Sequence, residues 1–145
     1  NGLTPPRQGS THPNIAPYGD LLTCSDGDVV LAVGSDAQFE GLCAVLGCEE
    51  MLTDPRFGSN PARVEHRKSL VHRLNQSAKS WERERLRSEL HRARVPAGGV
   101  FNVQEALNQP GIRDAYVVSE EGLPRLKTSA IQVQHRGPSL GHRTP

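Results

Sequence analysis

The stretch LLTCSDGDVVLAV, from Leu21 to Val33, carries the clearest structural signal in this 145-residue chain. Two runs of strand-forming residues flank the pair Asp26-Gly27, and an Asp-Gly pair in this setting is one of the strongest short-range signals for a tight hairpin. The stretch therefore predicts two antiparallel strands joined by a turn at Asp26-Gly27.

Four helices are predicted after this hairpin, each from apolar residues at helical spacing and from residues that open or close a helix. The expected caps are Asp36, Asn60, Ser80 and Asn102, and the expected ends lie at Gly47, at about Ser77, before Val95-Pro96 and at Asn108. Capping residues bond the free amides of a first turn, whereas glycine and proline end helices. The helices should cover the hairpin.

The rest of the chain adds a second hairpin and a turn. Tyr116-Val117-Val118 and Leu126 to Val133 look like strands around Glu121-Gly122. Gly98-Gly99 is interpreted as a plain turn, because no phosphate-binding glycine motif follows a strand there. Together these features predict an α+β fold in which two hairpins form a small antiparallel sheet packed by three to four helices.

Composition divides the chain into three parts. Residues 1–17 hold four prolines and show no periodicity, so we expect an extended arm that contributes nothing to the core. Residues 18–136 are expected to form the folded domain, and residues 137–145 a loop-like tail. Within the arm, His12 is a titratable group on an otherwise inert segment.

Composition also argues against several classes of protein. No apolar run approaches the ~20 residues needed to cross a bilayer, and no apolar signal segment opens the chain, so no membrane partner is expected. Cys24, Cys43 and Cys48 form no CxxC pair, which predicts buried free thiols, neither disulfides nor zinc, and a cytoplasmic location. His66 and His72 are spaced too far apart for a shared helix face, so no metal site is predicted.

Charge is unevenly distributed along the chain. The net charge is +1 overall, but residues 19–59 carry −7 and residues 60–94 carry +6. The two segments are expected to attract each other. Because acids interleave with the bases of the second segment and Trp81 is its one aromatic residue, a solvated or subunit-facing surface is favoured over nucleic-acid binding.

Seven short motifs, in order, resemble the small domain and exit segment of the class III CoA-transferases, the family of formyl-CoA transferase, carnitine CoA-transferase and α-methylacyl-CoA racemase. The resemblance covers nearly the whole chain. The motifs are His12 to Tyr18, Ser25-Asp26-Gly27, Ala32 to Phe39, Asp54 to Phe57, Arg63 to Arg67, Val95 to Gly98 and Pro138 to His142.

The resemblance implies a missing part as well as a present one. Family members are roughly three times longer, and their Rossmann-like large domain binds CoA and carries the aspartate that accepts the acyl group. The segment Gly9, Ser10, Thr11, His12 resembles the family's loop that closes over the acyl-CoA thioester, so these four residues are the candidate substrate-binding residues. No catalytic residue is assigned: Asp26 and Asp28 are interpreted as turn residues, Asp36 as a helix cap and Asp54 as a loop residue.

These points lead to a hypothesis for the function. The chain is expected to be a detached or truncated lid domain, catalytically incompetent by itself, with no cofactor and with a CoA thioester as the substrate of the intact family. Its expected partners are a second copy in a dimer, a CoA-transferase large domain, or CoA and acyl-CoA. Two alternatives remain: a subunit of a split enzyme completed by a separate large domain, and a binding protein that reuses the fold.

Overall fold

The computed structural model describes residues 9–113 and the backbone of two short strands at 116–118 and 124–126. The chain forms two compact units, Asn1–Phe101 and Asn102–Pro145. The predicted α+β class is confirmed by a small antiparallel sheet and six α-helices. No helix within these described residues is long and apolar enough to cross a membrane.

The predicted first hairpin is present in the first unit. Strand β1 (Tyr18–Thr23) pairs antiparallel with β2 (Asp28–Ala32), and the amide of Cys24 donates to the carbonyl of Gly27 across the turn. The alternation of buried and exposed residues places Leu22 and Val29 in the core.

The sheet has a third strand, which the sequence did not predict. Strand β3 (Ala97–Gly99) pairs antiparallel with β2, so the interpretation of Gly98-Gly99 as a plain turn is wrong. Because glycine is depleted in strands, the sequence Ala97-Gly98-Gly99 does not predict one. At Gly99 an added Cβ would lie 2.7 Å from the ring of Phe101, so the small residue admits the aromatic side chain.

Helix α1 spans Asp36–Leu46, and its N-cap lies one residue before the predicted cap Asp36. Ser35 is the cap, accepting from the amide of Gln38, and the Gln38 side chain bonds back to the Ser35 amide. The predicted end at Gly47 is confirmed: Gly47 has φ of +64°, and the amides of Gly47 and Cys48 close the helix on Ala44 and Cys43. A short 3-10 turn, Glu49–Leu52, follows.

The predicted second helix is divided at His66 into α2 (Asn60–Glu65) and α3 (Arg67–Ala78). Its cap is Ser59, whose side chain accepts from the amide of Ala62, and not the predicted Asn60. The side chain of Asn60 is engaged elsewhere, on the backbone of the N-terminal segment.

Helix α4 (Arg83–Arg92) ends before Val95-Pro96 as predicted, but Ser80 does not cap it. The carboxylate of Asp26, in the hairpin turn, accepts from the amide of Arg83 at 2.6 Å. The cap therefore comes from a residue distant in the chain, so Asp26 has a second role besides shaping the turn.

The core of the first unit lies between the sheet and the helices. Its largest fully buried side chains are Phe39, Phe57, Leu22, Leu31, Leu42, Met51, Leu70, Leu74, Leu86 and Leu90. Ala16 is 1% exposed and belongs to this core, so the expectation that residues 1–17 contribute nothing to it is wrong.

One side chain of α3 bonds to the outer edge of β1. The amide nitrogen of Asn75 donates to the carbonyl of Leu21 at 3.2 Å, and its oxygen accepts from the amide of Thr23 at 2.7 Å. On its other side β1 pairs with β2. The Leu21 carbonyl and the Thr23 amide, which point away from β2, are thereby satisfied.

The second unit contains α5 (Val103–Leu107), α6 (Pro110–Arg113), β4 (Tyr116–Val118) and β5 (Pro124–Leu126). The predicted capping box of Asn102 and Glu105 is confirmed. Strands β4 and β5 pair antiparallel in a sheet of their own, so the two hairpins do not share one sheet. The remainder of the predicted second strand, 127–133, and the tail 137–145 lie outside the described residues.

Candidate functional site

The predicted site residues Gly9 to His12 form a turn that folds back on β1. The hydroxyl of Ser10 donates to the carbonyl of Gly19 at 2.7 Å, and the amide of His12 donates to the carbonyl of Tyr18 at 2.8 Å. Gly9 and Ser10 are exposed, whereas Thr11 and His12 are half-buried. The structure therefore brings these four residues together on the surface of the first unit.

Gly19 makes this close approach sterically feasible. Its φ is +76°, and a Cβ there would lie 1.8 Å from the carbonyl oxygen of Ser10. No side chain fits in that space, and the backbone conformation itself favours glycine. Sequence reasoning missed Gly19, because a glycine inside a strand reads only as a weak point of that strand.

The imidazole of His12 is held by two contacts, one with Asn14 and one with Tyr18. Its Nδ1 accepts from the amide of Asn14 at 3.2 Å, and its ring packs edge-on to that of Tyr18 with centroids 5.7 Å apart. The Nε2 atom has no hydrogen-bond partner among the described residues, and it is not a buried unpaired atom. The ring is thus fixed while Nε2 remains open to solvent.

Three side chains of α2 and α3 form hydrogen bonds with the backbone of residues 12–16. Asn60 donates to the carbonyl of Asn14 at 2.8 Å and accepts from the amide of Ala16 at 3.1 Å. Arg63 donates to the carbonyl of Ala16 at 2.9 Å. Asn60 and Arg63 are three positions apart on α2, so both face the same stretch of backbone. Arg67, the first residue of α3, bonds to the carbonyls of His12 and Ile15 in the same stretch.

Arg63 is the most buried of these anchors, at 3% exposure. Besides its bond to Ala16, it donates to the carbonyl of Phe57 at 3.0 Å and pairs with Asp36 at 2.6 Å. Its guanidinium also lies 4.6 Å from the centroid of the Phe39 ring. All these partners are needed, because a buried cation without them would be strongly unfavourable.

Arg67 joins the turn to β1. One of its terminal nitrogens, Nη1, donates to the carboxylate of Asp20 at 2.7 Å, while Nη2 donates to the carbonyls of His12 and Ile15. Beside this pair lies an open groove of about 440 Å³. The groove is lined by Asp20, Arg67, Lys68, Val71, His72 and Asn75.

The predicted attraction between the acidic and basic segments is confirmed by three ion pairs that link them. These are Asp36 with Arg63, Asp20 with Arg67, and Glu50 with Arg73. The arginines are therefore partly neutralised by carboxylates of the same chain, which weakens any field that would attract a phosphate backbone.

Four aspartates have structural roles in the described part of the chain. Asp20 and Asp36 pair with arginines, and Asp26 caps α4. The carboxylate of Asp54 accepts hydrogen bonds from the side chain and the amide of Arg56, and these bonds lower the pKa of its carboxyl to about 2. The interpretation of Asp36 as a helix cap is wrong, since Ser35 caps α1 and Asp36 instead binds Arg63.

The cysteines are buried, as predicted. Cys43 and Cys48 hydrogen-bond each other. This bond and burial both raise the pKa of Cys43, whereas the same bond lowers the pKa of Cys48. Both thiols are under 4% exposed, so their roles are structural. Across residues 9–113, no three His, Cys, Asp or Glu side chains lie close enough to hold a metal ion.

Comparisons with known proteins agree with the resemblance seen in the sequence. The sequence profile of CoA-transferase family III matches residues 1–144. A succinate–glutarate CoA-transferase of Agrobacterium fabrum is 34% identical over 92% of this chain, and a succinyl-CoA:mesaconate CoA-transferase of Haloarcula marismortui is 31% identical over all of it. A CaiB/BaiF family protein of Brucella suis, of known structure, is 38% identical with a TM-score of 0.82 over 92% of the chain. The chain spans 35%, 37% and 35% of these three proteins.

Proposed function

The chain belongs to CoA-transferase family III, and from that membership we propose that it forms the small, substrate-covering part of a CoA-transferase. In this proposal the turn from Gly9 to His12 closes over the thioester of an acyl-CoA held by a large domain. The acyl-accepting carboxylate belongs to that large domain. The observation that carries the proposal is the anchoring of this turn at His12 by Arg67, together with the anchoring of Asn14 and Ala16 just after it by Asn60 and Arg63.

A lid of this kind has a chemical purpose. When a carboxylate oxygen attacks the carbonyl carbon of a thioester, the C–S bond breaks, CoA leaves as its thiolate and a mixed anhydride forms, which water would hydrolyse. The turn is held at His12 by Arg67, and the residues just after it are held by Asn60 and Arg63, so it needs little further ordering to cover the reacting atoms. These hydrogen bonds support the proposed role in excluding water.

Catalytic incompetence of residues 9–113 is part of the proposal. An acyl-accepting carboxylate must be free to attack. Four of the five aspartates among these residues, Asp20, Asp26, Asp36 and Asp54, are each bonded to an arginine side chain or a backbone amide, which supports the proposal. A partner is therefore needed, and we propose a CoA-transferase large domain or a dimer that includes one. The three free cysteines support the expected cytoplasmic location.

The substrate class follows from the relatives. The names of two of them specify succinate, glutarate and mesaconate, all of which are dicarboxylic acids. We therefore propose a CoA thioester of a dicarboxylic acid as the ligand. No cofactor is needed, because the thioester itself supplies the activated acyl group.

The test is a titration of the purified chain with succinyl-CoA followed by amide NMR. Shifts that concentrate in residues 9–18 are expected at millimolar ligand, since only part of the site is present. An absence of shifts in this segment would refute the proposal. A parallel assay for transfer of CoA from succinyl-CoA to glutarate should show no turnover by the chain alone, and turnover would disprove the proposed incompetence.

A further inference from the structure

We propose that His12 recognises the acyl group: its Nε2–H donates a hydrogen bond to the distal carboxylate of the dicarboxylic thioester. The inference rests on the proposed function, because it assumes that the turn from Gly9 to His12 faces the acyl group. It goes further by assigning the recognition to one atom and by naming the acyl feature recognised.

The tautomer of His12 follows from its bonds. A backbone amide has a proton to give, so the bond from the Asn14 amide to Nδ1 requires that Nδ1 carry a lone pair. In the neutral ring the proton then lies on Nε2. His12 is therefore a hydrogen-bond donor at Nε2.

The orientation of this donor is also fixed. The amide of His12 donates to Tyr18, its carbonyl accepts from Arg67, and its ring rests against the Tyr18 ring. Every other polar atom of the residue is thus engaged within the chain, and Nε2 is the one left open. A donor positioned in advance loses little entropy when it binds a ligand.

A carboxylate is the acceptor that best suits such a donor. Hydrogen bonds to ionised acceptors are about twice as strong as neutral ones. A site that presents a polar group for a ligand oxygen also discriminates against an analogue that lacks this oxygen, since the donor is left unpaired in the complex. His12 would therefore distinguish a dicarboxylic thioester from a simple fatty acyl thioester of equal length.

The experiment compares succinyl-CoA with butyryl-CoA, which has the same chain length but no distal carboxylate. We expect long-range ¹H–¹⁵N NMR to show the Nε2–H tautomer in the free chain and a shift of Nε2 on adding succinyl-CoA only. Equal binding of both thioesters at the turn would overturn the role of His12 and leave the proposed function standing. Binding of neither would refute the proposed function itself.

Two variants separate recognition from structure. In His12→Asn the side-chain oxygen takes the place of Nδ1 and keeps the bond from Asn14, but nothing reaches the position of Nε2. This variant should lose about tenfold or more in affinity for succinyl-CoA and nothing for butyryl-CoA. A loss of both ligands, or of neither, while the Asn14 amide resonance is unchanged would overturn the inference. His12→Gln, whose amide nitrogen replaces Nε2, should recover part of the selectivity for succinyl-CoA.

Discussion

The Nη1 atom of Arg67 lies 2.7 Å from the Oδ2 atom of Asp20, whose side chain is 4% exposed. The same guanidinium binds the carbonyls of His12 and Ile15. One side chain therefore connects helix α3, strand β1 and the candidate substrate-facing turn.

Replacing Arg67 should destabilise the first unit strongly. Arg67→Met leaves the buried carboxylate of Asp20 without its cation, so we expect a loss of about 2–4 kcal/mol in the free energy of unfolding, measured in urea. Arg73→Met is the matched control, since the pair of Arg73 with Glu50 is 47% and 58% exposed, and it should cost less than about 1 kcal/mol. Equal losses in the two variants would contradict the assigned role of Arg67.

Gly19 and Gly9 offer a second matched pair. Gly19→Ala places a Cβ against the Ser10 carbonyl and should cost at least about 2 kcal/mol while displacing the turn. Gly9 has a similar φ of +64° but no atom within 4 Å of an added Cβ, so Gly9→Ala should cost only about 1 kcal/mol. Thermal unfolding gives the stabilities, and amide shifts of Ser10 and Thr11 report the displacement. If the alanine at position 19 left those shifts unchanged, the close approach would be disproved.

The cap that Asp26 gives to α4 is testable by amide hydrogen exchange. Asp26→Ala removes the acceptor of the Arg83 amide, so exchange in the first turn of α4 should accelerate and stability should fall by about 1 kcal/mol. Glu82 occupies the capping position but makes no side-chain cap bond. Glu82→Ala should therefore leave exchange in this turn nearly unchanged, and a larger effect than that of Asp26→Ala would assign the cap to Glu82.

The ionisation of Asp54 should make the stability of the fold depend on pH in the acid range. Its pKa is lowered from 3.8 to about 2, with the Arg56 side chain as the main cause. A carboxyl with a depressed pKa stabilises the fold above its unfolded value, and this contribution is lost as the pH falls from 3.8 through 2. The difference in Tm between the parent chain and Asp54→Asn should shrink over this range, and a difference that stays constant would count against the Asp54–Arg56 contact.

Local patterns predicted much of the fold. The Asp26-Gly27 turn, the end of α1 at Gly47 and the box of Asn102 with Glu105 all depend on residues within about five positions of one another, and all three are present. The third strand escaped prediction because Gly98 and Gly99 have no strand propensity, and they form a strand only because β2 offers a partner.

Caps supplied from a distance escaped prediction for a related reason. Asp26 reaches α4 across 57 positions of sequence, so no window around Ser80 or Glu82 contains it. Asn60 was expected to cap its own helix, but its side chain binds backbone 44 and 46 positions away. Tertiary contacts of this kind override the local preference of a residue type.

The sequence predicted which residues form the candidate site but not which side chains hold them in place. Gly9 to His12 were found through resemblance, whereas Asn60, Arg63 and Arg67 bind backbone carbonyls, which leave no trace in a sequence pattern. The one available signal was the spacing of the polar residues Asn60 and Arg63 on one helix. That spacing alone does not indicate what the two side chains contact.

Asn75 has a consequence for how copies of this chain can meet. A carboxamide that binds Leu21 and Thr23 repeats the pairing that one peptide unit of an additional strand would make. A strand of another molecule cannot pair with β1 at Leu21 and Thr23 while Asn75 occupies their hydrogen-bonding groups. A second copy that paired with β1 at Leu21 and Thr23, or amyloid-like growth from this part of the edge, would first have to displace Asn75.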